Sequence, residues 1–151
     1  MIVVDTDVLA IHHIFLWDSR RRENEEAYEL LKENKAKTTI YNLLELCGLF
    51  SAANMADRVD RVLEAYLSGD ELDVEFPPYP EDWGDFVELV INYLRRGLAF
   101  GDALVVLSSE AVGAETFITW NKKHFEGKIR AKVLTPKEFL LRKGANPWAY
   151  G

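Results

Sequence analysis

Short apolar runs alternate along this chain with longer segments whose apolar residues recur at helical spacing. The short runs are rich in β-branched residues, which favours buried strands. An alternation of apolar and acidic residues over 72–76 predicts a further, exposed strand. A buried strand is predicted over residues 2–4, and further strands over 37–40, 116–119 and 132–134.

The longer segments predict helices, several of which carry sequence signals for their ends. Gly69 follows the segment 55–67 and is expected to end that helix. Thr135-Pro136-Lys137-Glu138 is a capping box with proline at the first helical position, so it opens the last helix. The remaining helices are predicted over 8–17, about 19–34, 41–50, 83–94 and 103–112. His124 is predicted to lie in a turn after the strand 116–119.

Strands that alternate with helices predict an α/β fold whose layers surround a largely parallel sheet. The 151 residues suit one domain covering 1–151. Pro77-Pro78-Tyr79-Pro80 is the one stiff connector, and it is too short for a linker between domains. No internal repeat is present.

Charge modifies this picture because it is unevenly distributed. The net charge of −7 argues against a generic nucleic-acid binder, which would be basic overall. Residues 1–100 hold 20 acidic and 10 basic side chains, whereas residues 101–151 hold 5 and 8. The composition therefore leaves room for an acidic metal-binding pocket together with a local basic surface.

The sequence also gives an expectation for the cellular compartment of the protein. No stretch approaches the roughly 18 apolar residues of a membrane span, and the first residues lack the basic start of a secretory signal. The lone Cys47 excludes an internal disulfide and a zinc site built from paired cysteines. We expect a cytoplasmic protein without a membrane segment.

Candidate chemistry is concentrated where parallel strands are expected to end, because ligands bind at the carboxyl edge of such sheets. Asp5 follows the first strand, and Thr119-Trp120-Asn121 follows a later one. Glu45 and Asp102 lie in apolar surroundings. A carboxylate buried there must be paired, protonated or bound to a metal.

Each of these residues also has a purely structural explanation. Asp5 and Asp102 suit the N-cap position of a helix. Glu45 fits a narrow polar stripe facing solvent or a pair with arginine, and Asn121 fits a turn. None of the four decides the function singly.

Together the residues form four motifs in a fixed order. They are Ile2-Val3-Val4-Asp5-Thr6-Asp7-Val8-Leu9, Thr39-x-x-Asn42-x-x-Glu45-Leu46, Gly101-Asp102-Ala103-Leu104, and Ile118-Thr119-Trp120-Asn121-Lys122-Lys123-His124-Phe125. In this order and spacing the chain resembles the PIN-domain family, and the match covers nearly its whole length.

The resemblance implies a three-layer α/β/α sandwich and a metal-dependent endoribonuclease, similar to the VapC-like toxins of toxin–antitoxin pairs. It places Asp5, Glu45 and Asp102 on acidic metal positions. Asn121 stands where the family usually has a fourth acid, so a second metal is open, with Asp7 and Thr119 as auxiliary residues. An antitoxin partner and a homodimer are expected on the same grounds.

The donor atoms indicate which cofactor to expect. Oxygen-only ligands favour Mg²⁺ or Mn²⁺, and three carboxylates close together need such a cation because they repel one another. The implied reaction is in-line attack of a metal-activated water on an RNA phosphodiester, leaving 5′-phosphate and 3′-hydroxyl ends.

RNA needs basic contacts near an acidic pocket, and Lys122 and Lys123 directly follow Asn121. Arg20-Arg21-Arg22 better fits a solvated face. Trp120 is a candidate for stacking on bases, whereas Phe125 fits the core. Apolar faces of the helices over 55–67 and 83–94 serve either the core, a homodimer or an antitoxin.

Two other functions remain open. The segment Val4-Asp5-Thr6-Asp7-Val8 also suits a haloacid-dehalogenase-type phosphatase, although Asp102 has no acidic neighbour and the chain is short for that fold. Asn121 and the acidic first two-thirds of the chain are compatible with a PIN-like interaction module without catalysis. His12, His13 and His124 are not expected to form a metal-binding pattern.

Overall fold

A computed structural model describes residues 1–144, whose centre is a five-stranded sheet. All four strand pairings are parallel, and the strand order is β3-β2-β1-β4-β5. The predicted strands and their parallel pairing are therefore confirmed. The strands are β1 Ile2–Val4, β2 Lys37–Thr39, β3 Asp73–Glu75, β4 Thr116–Ile118 and β5 Lys132–Leu134.

Helices follow most strands, with boundaries near the predicted ones. The first helix starts at Thr6 because the Asp5 side chain caps it, and a short helix replaces the turn predicted around His124. A 3₁₀ turn, Ala56–Arg58, precedes the fourth helix. The helices are α1 Thr6–His13, α2 Arg21–Glu33, α3 Ile40–Ala52, α4 Val59–Leu67, α5 Trp83–Leu94, α6 Phe100–Ala111, α7 Lys122–Phe125 and α8 Pro136–Arg142.

Alternation along the strands divides the core in two. Val3 aligns with Phe117, and both point into a core shared with α5, α6 and α7. Their neighbours Val4 and Ile118 point the other way, into a core shared with α1, α2, α3, α4 and α8. Side chains alternate across a sheet, so this register packs helices on both faces and produces the expected α/β/α sandwich.

The strand order places a topological switch point beside β1. From β1 the chain moves outward through β2 to β3, and it later returns to the opposite side of β1 as β4. The connections leave β1 and β4 in opposite directions, which opens a crevice at the carboxyl edge. Asp5 follows β1 and Thr119 follows β4, and the Asp5 backbone N–H donates to the Ile118 carbonyl at 2.9 Å.

Two predicted helix ends are confirmed in detail. Thr135 and Glu138 form the capping box that opens α8. Gly69 has φ +89°, which favours glycine, and the turn that it forms after α4 is closed by a bond from the Asp70 N–H to the Ala65 carbonyl at 3.0 Å. This turn positions Glu71.

Among residues 1–144, no helix is both long and apolar enough to cross a membrane. The sequence predicts one domain over 1–151. Residues 145–151 of that range lie outside the described residues.

Candidate active site

Asp5 is the most enclosed carboxylate at the switch point, with 7 % of its surface exposed. Its Oδ1 accepts the Thr6 N–H at 2.8 Å and the Asn42 Nδ2 at 3.2 Å, while its Oδ2 accepts the Thr119 hydroxyl at 2.8 Å. Asp5 therefore both caps α1, as its structural explanation required, and faces the crevice. Burial, reinforced by the nearby Asp7 charge, holds the pKa of Asp5 well above its usual range.

Asp7 lies two residues further on, in the first turn of α1, and is held by the residues after β4. Its Oδ2 accepts the backbone N–H groups of Trp120 and Asn121 at 2.9 and 3.1 Å. Its Oδ1 is buried and has no hydrogen-bond partner among the described residues. Burial raises the pKa of Asp7 despite the hydrogen bonds. A buried oxygen without a partner is costly, so Asp7 is suited to hold a cation or a proton.

Thr119 joins the two carboxylates with a single hydroxyl. Its Oγ1 lies 2.8 Å from Asp5 Oδ2 and 3.0 Å from Asp7 Oδ2, and it accepts the Asn121 N–H at 3.0 Å. One hydroxyl proton serves only one acceptor at a time. The hydroxyl therefore satisfies only one of the two carboxylates at a time, which is consistent with the raised pKa values of both acids.

Asn42 positions Asp5, a role that the sequence did not disclose. Asn42 is fully buried, and its Nδ2 donates to Asp5 and to the Thr6 hydroxyl at 2.9 Å. Its Oδ1 accepts the backbone N–H and the hydroxyl of Thr39, forming a capping box at the start of α3. The spacing Thr39-x-x-Asn42 is the signal that could have identified it.

Glu45 lies one turn further along α3 and reaches the same crevice. Its Oε1 accepts the Thr6 hydroxyl at 3.2 Å, and a Cβ built on Gly101 would lie 3.3 Å from its Oε2. Gly101 thus gives the carboxylate room beside the start of α6. Glu45 as a residue is exposed and not lodged among apolar groups, although its carboxyl group is partly buried at the crevice. Among the described residues it pairs with no arginine. Partial burial, then the charges of Asp102 and Asp7, raises its pKa.

Asp102 lies in the first turn of α6, and Ala99 occupies the N-cap position. The structural explanation of Asp102 as an N-cap is therefore wrong, and its carboxylate is free to face the crevice. Its closest basic neighbour is His124, whose Nδ1 is 3.6 Å from Asp102 Oδ2. Burial nevertheless raises the pKa of Asp102.

Asn121 occupies the N-cap position of the short α7, but its side chain makes no capping hydrogen bond. The residue is exposed, and its backbone N–H is used by Asp7 and Thr119. The amide side chain is thus available to the crevice.

These side chains share one pocket of about 250 Å³. Burial raises the pKa of each of its four carboxylates. The structure thus brings together every predicted metal position and adds Arg20 and Phe15. The pocket is lined by Asp5, Thr6, Asp7, Ala10, Ile11, Phe15, Arg20, Glu45, Leu49, Asp102 and Asn121.

The pocket fits a hard divalent cation. Its donors are carboxylate and amide oxygens, the ligands that Mg²⁺ and Mn²⁺ prefer. Within residues 1–144, Asp7 Oδ1 has no hydrogen-bond partner. The ligand atoms of Asp5, Glu45 and Asp102 are not all within 4.8 Å of one another. The ligand atoms of another group, His12, His13 and Glu71, are that close. A cation in the acidic pocket would therefore retain water ligands, as Mg²⁺ usually does.

His12, His13 and Glu71 form a second group at the other end of α1. The expectation that the histidines form no metal pattern is wrong for His12 and His13, because Glu71 arrives from the turn after α4 to complete a set. Burial lowers the pKa of His12, but the nearby carboxylates of Glu71 and Glu25 outweigh it and raise that pKa. His12 lowers the pKa of Glu71 to about 2 against the effect of burial.

The expected basic contacts are only partly in place. Lys122 pairs with Glu138 at 3.0 Å and with Glu126 at 3.3 Å, whereas Lys123 is exposed. Arg20, assigned above to a solvated face, lines the acidic pocket and lies 5.4 Å over the Trp120 ring.

The two aromatic candidates differ in burial. Trp120 is partly buried and donates from Nε1 to Asn24 at 2.8 Å, so its ring is a packed wall rather than a free stacking surface. Phe125 is in the core, as expected.

No family model matches the sequence, and no curated protein sequence matches it significantly. Solved structures do share the fold. VapBC2 from Rickettsia felis, solved with a DNA fragment from its promoter, superimposes with a TM-score of 0.61 at 21% identity, over 89% of this chain and 98% of that one. A toxin–antitoxin complex from Klebsiella pneumoniae gives 0.58 at 22% identity, over 91% and 99%.

A third structure, PAE2754 from Pyrobaculum aerophilum, gives a TM-score of 0.59 at 18% identity and covers 96% of this chain and 90% of that one. The similarity extends over nearly all of each protein. The chain therefore has the fold of these toxin–antitoxin proteins, in agreement with the resemblance of its sequence to the PIN-domain family.

Proposed function

We propose that this protein is a metal-dependent endoribonuclease and the toxin of a toxin–antitoxin pair. The observation that carries the proposal is the convergence of Asp5, Glu45 and Asp102 on one pocket at the switch point of the sheet. Their raised pKa values, each caused mainly by burial, mark carboxylates whose charges are not fully compensated by the described part of the chain.

In this proposal Asp5, Glu45 and Asp102 hold Mg²⁺ or Mn²⁺, and Asn121 contributes its amide oxygen. When bound, the ion would activate water and stabilise the leaving oxygen of the phosphodiester. Asn42 and Thr119 fix the two oxygens of Asp5 before the cation arrives. Such preorganisation lowers the cost of assembling the site.

RNA must approach a pocket whose own side chains are negative. Arg20 lies on the pocket wall and offers a phosphate contact, although it is paired with Asp18 at 2.9 Å. Lys123 is exposed on α7. Together they form the basic approach that the proposal requires.

The partner assignments rest on the solved structures and on exposed apolar residues. The similar structure from Klebsiella pneumoniae is a toxin–antitoxin complex, so we propose an antitoxin as the physiological inhibitor in the cytoplasm. Val87, Leu89 and Ile91 on α5 leave apolar surface exposed, which suits a homodimer.

The decisive experiment measures RNA cleavage with Mg²⁺ or Mn²⁺ and with EDTA. Asp5→Asn and Asp102→Asn are each expected to reduce the cleavage rate at least about 100-fold, because removing a metal ligand should cost no less than the roughly 10–100-fold effect of its outer partners. Asp85→Asn is the matched control, since Asp85 occupies the same position in the first turn of α5. Full cleavage in EDTA, or in Asp102→Asn, would contradict the proposal.

A titration with Mn²⁺ separates the nuclease from a non-catalytic module of the same fold. The proposal expects binding that Asp102→Asn weakens. No binding at millimolar Mn²⁺ would favour the interaction module instead.

The basic approach has its own prediction. Lys123→Glu should weaken RNA binding and reduce the slope of log affinity against log salt by about one, as expected for one lost phosphate contact. Lys122→Glu should change the slope less, because Lys122 is already occupied by Glu126 and Glu138. Binding isotherms at several salt concentrations test both, and equal slopes in all three proteins would exclude the role of Lys123.

A further inference from the structure

We propose that His12, His13 and Glu71 form a second metal site, which binds a transition-metal ion of the Zn²⁺ class. One ligand atom from each of the three residues lies within 4.8 Å of the others, and all three side chains are partly buried. The site stands at the C-terminal end of α1, whereas the acidic pocket surrounds its N-terminal end.

His12 is oriented as a ligand with a supporting partner. Its Nδ1 lies 2.9 Å from both carboxylate oxygens of Glu25, and its ring stacks on Tyr28 with centroids 3.8 Å apart. These contacts fix the ring and direct Nε2 toward Glu71. A carboxylate on the far nitrogen is the usual partner of a metal-binding histidine, since it sets the tautomer and increases the basicity of the other nitrogen.

The distance between His12 and Glu71 favours a bridging ion. His12 Nε2 is 3.7 Å from Glu71 Oε2, which is longer than a hydrogen bond. Two ligands on a tetrahedral ion with bonds of about 2.0–2.1 Å stand about 3.3 Å apart. A small rotation of Glu71 would therefore place both atoms on one ion.

His13 and Glu71 are held by tyrosine hydroxyls. His13 Nε2 lies 2.8 Å from the Tyr66 hydroxyl, and the Tyr28 hydroxyl donates to Glu71. The turn at Gly69 sets the backbone before Glu71. The two tyrosines thus hold His13 and Glu71 in position before an ion enters.

The donor set selects the class of ion. Two imidazoles and one carboxylate suit Zn²⁺ and related transition metals better than Mg²⁺, which prefers oxygen. Three protein ligands leave a fourth position open for water or another ligand. The His12 and Glu71 side chains are 17 % and 20 % exposed, so an ion can reach them from solvent.

The test is a calorimetric titration with Zn²⁺ in excess Mg²⁺, made in an Asp102→Asn background. Asp102 and His124 lie close enough together to bind zinc themselves, and the Asp102→Asn substitution removes this pair. The same substitution makes the outcome independent of nuclease activity. We expect one equivalent of Zn²⁺. Glu71→Gln and His13→Asn should each weaken its affinity more than about 100-fold, and Glu25→Gln by about 10–100-fold.

Glu26→Gln is the matched control, because Glu26 lies on the same helix as Glu25 but pairs with Arg22 at the surface; it should leave the affinity unchanged. Circular dichroism identifies any variant that fails to fold. X-ray absorption can be measured on the Zn²⁺-loaded Asp102→Asn protein, in which none of the proposed zinc ligands is substituted. The spectrum should show two imidazole ligands.

Two results would overturn the proposal. One is the absence of Zn²⁺ binding at 100-micromolar concentration and above, which would leave His12 as a residue that only pairs with Glu25 and Glu71. The other is binding that Glu71→Gln and His13→Asn, both folded, do not weaken.

Discussion

Asp102 and Glu110 lie at opposite ends of α6, and their environments contrast. Asp102, in the first turn, has His124 at 3.6 Å as its nearest basic group and a raised pKa. Glu110, near the last turn, contacts Arg96 Nη1 at 3.0 and 2.9 Å and accepts the Tyr93 hydroxyl and the Arg130 N–H. Its pKa is lowered by Arg96 although burial opposes this.

The helix dipole alone would predict the reverse order, because it favours anions at the N-terminus. Here the local partners outweigh the dipole. Glu110 is a structural anion whose charge is compensated within the protein. Asp102 has only His124 close to it, so it is the better candidate of the two for binding an external cation.

The largest effect expected on stability is at Glu110. Glu110→Gln should lower the free energy of unfolding by about 1–3 kcal/mol, the usual value of hydrogen bonds to a charged group. Chemical denaturation measures this change. Glu115→Gln, at an exposed glutamate, is the control and should change little; equal effects would remove the contrast between the ends of α6.

The pH dependence of this loss follows from the lowered pKa of Glu110. A carboxylate with a lower pKa in the folded than in the unfolded protein stabilises the fold above the ordinary glutamate pKa of about 4.3, and this stabilisation is lost as the pH falls below it. The stability difference between wild type and Glu110→Gln should be full at pH 7 and shrink below about pH 4.3. If the stability difference between wild type and Glu110→Gln grows on acidification, the pKa of Glu110 is not lowered in the folded protein.

The smallest effect is expected at Asp102 and has the opposite sign. Asp102 repels Asp5 and Glu45, so Asp102→Asn in EDTA should raise Tm by a few degrees at most, as a partly exposed charge is worth about 0.5–1 kcal/mol. Asp85→Asn, at the matching position of α5, should lower Tm slightly through the lost dipole interaction. Thermal unfolding distinguishes the two variants, and a fall in both would mean that Asp102 is not repelled.

Much of the fold could be predicted because its signals are local. The β-branched run Ile2-Val3-Val4, the turn at Gly69 and the capping box at Thr135 depend on neighbours within a few residues, and all three are where the sequence placed them. The start of α6 was missed because Ala99 caps it without a side-chain hydrogen bond, so the sequence carries no cap signal there.

In the candidate site, too, some residues could be predicted from local sequence signals and others could not. Asp5 and Thr119 follow strands, and the parallel-sheet rule predicts that they meet at one edge. The positioning role of Asn42 and the presence of Arg20 on the pocket wall depend on which helix packs beside which strand. Lys122 appeared available in the sequence, but Glu138 from α8 occupies it.

The sequence by itself determined the alternation of strands and helices, the four motifs and the oxygen-rich chemistry that they carry, because each depends on residue type and short spacing. Only the tertiary structure decided which charges are compensated. It paired Glu110 with Arg96, and it brought Glu71 to His12 and His13 across more than fifty residues of chain. Among residues 1–144 it gave the carboxylates of the acidic pocket no lysine or arginine within salt-bridge distance, and only Asp102 has a histidine near it. The physical reason is that compensation of a buried charge depends on distances of a few ångströms between segments remote in sequence, which no local pattern encodes.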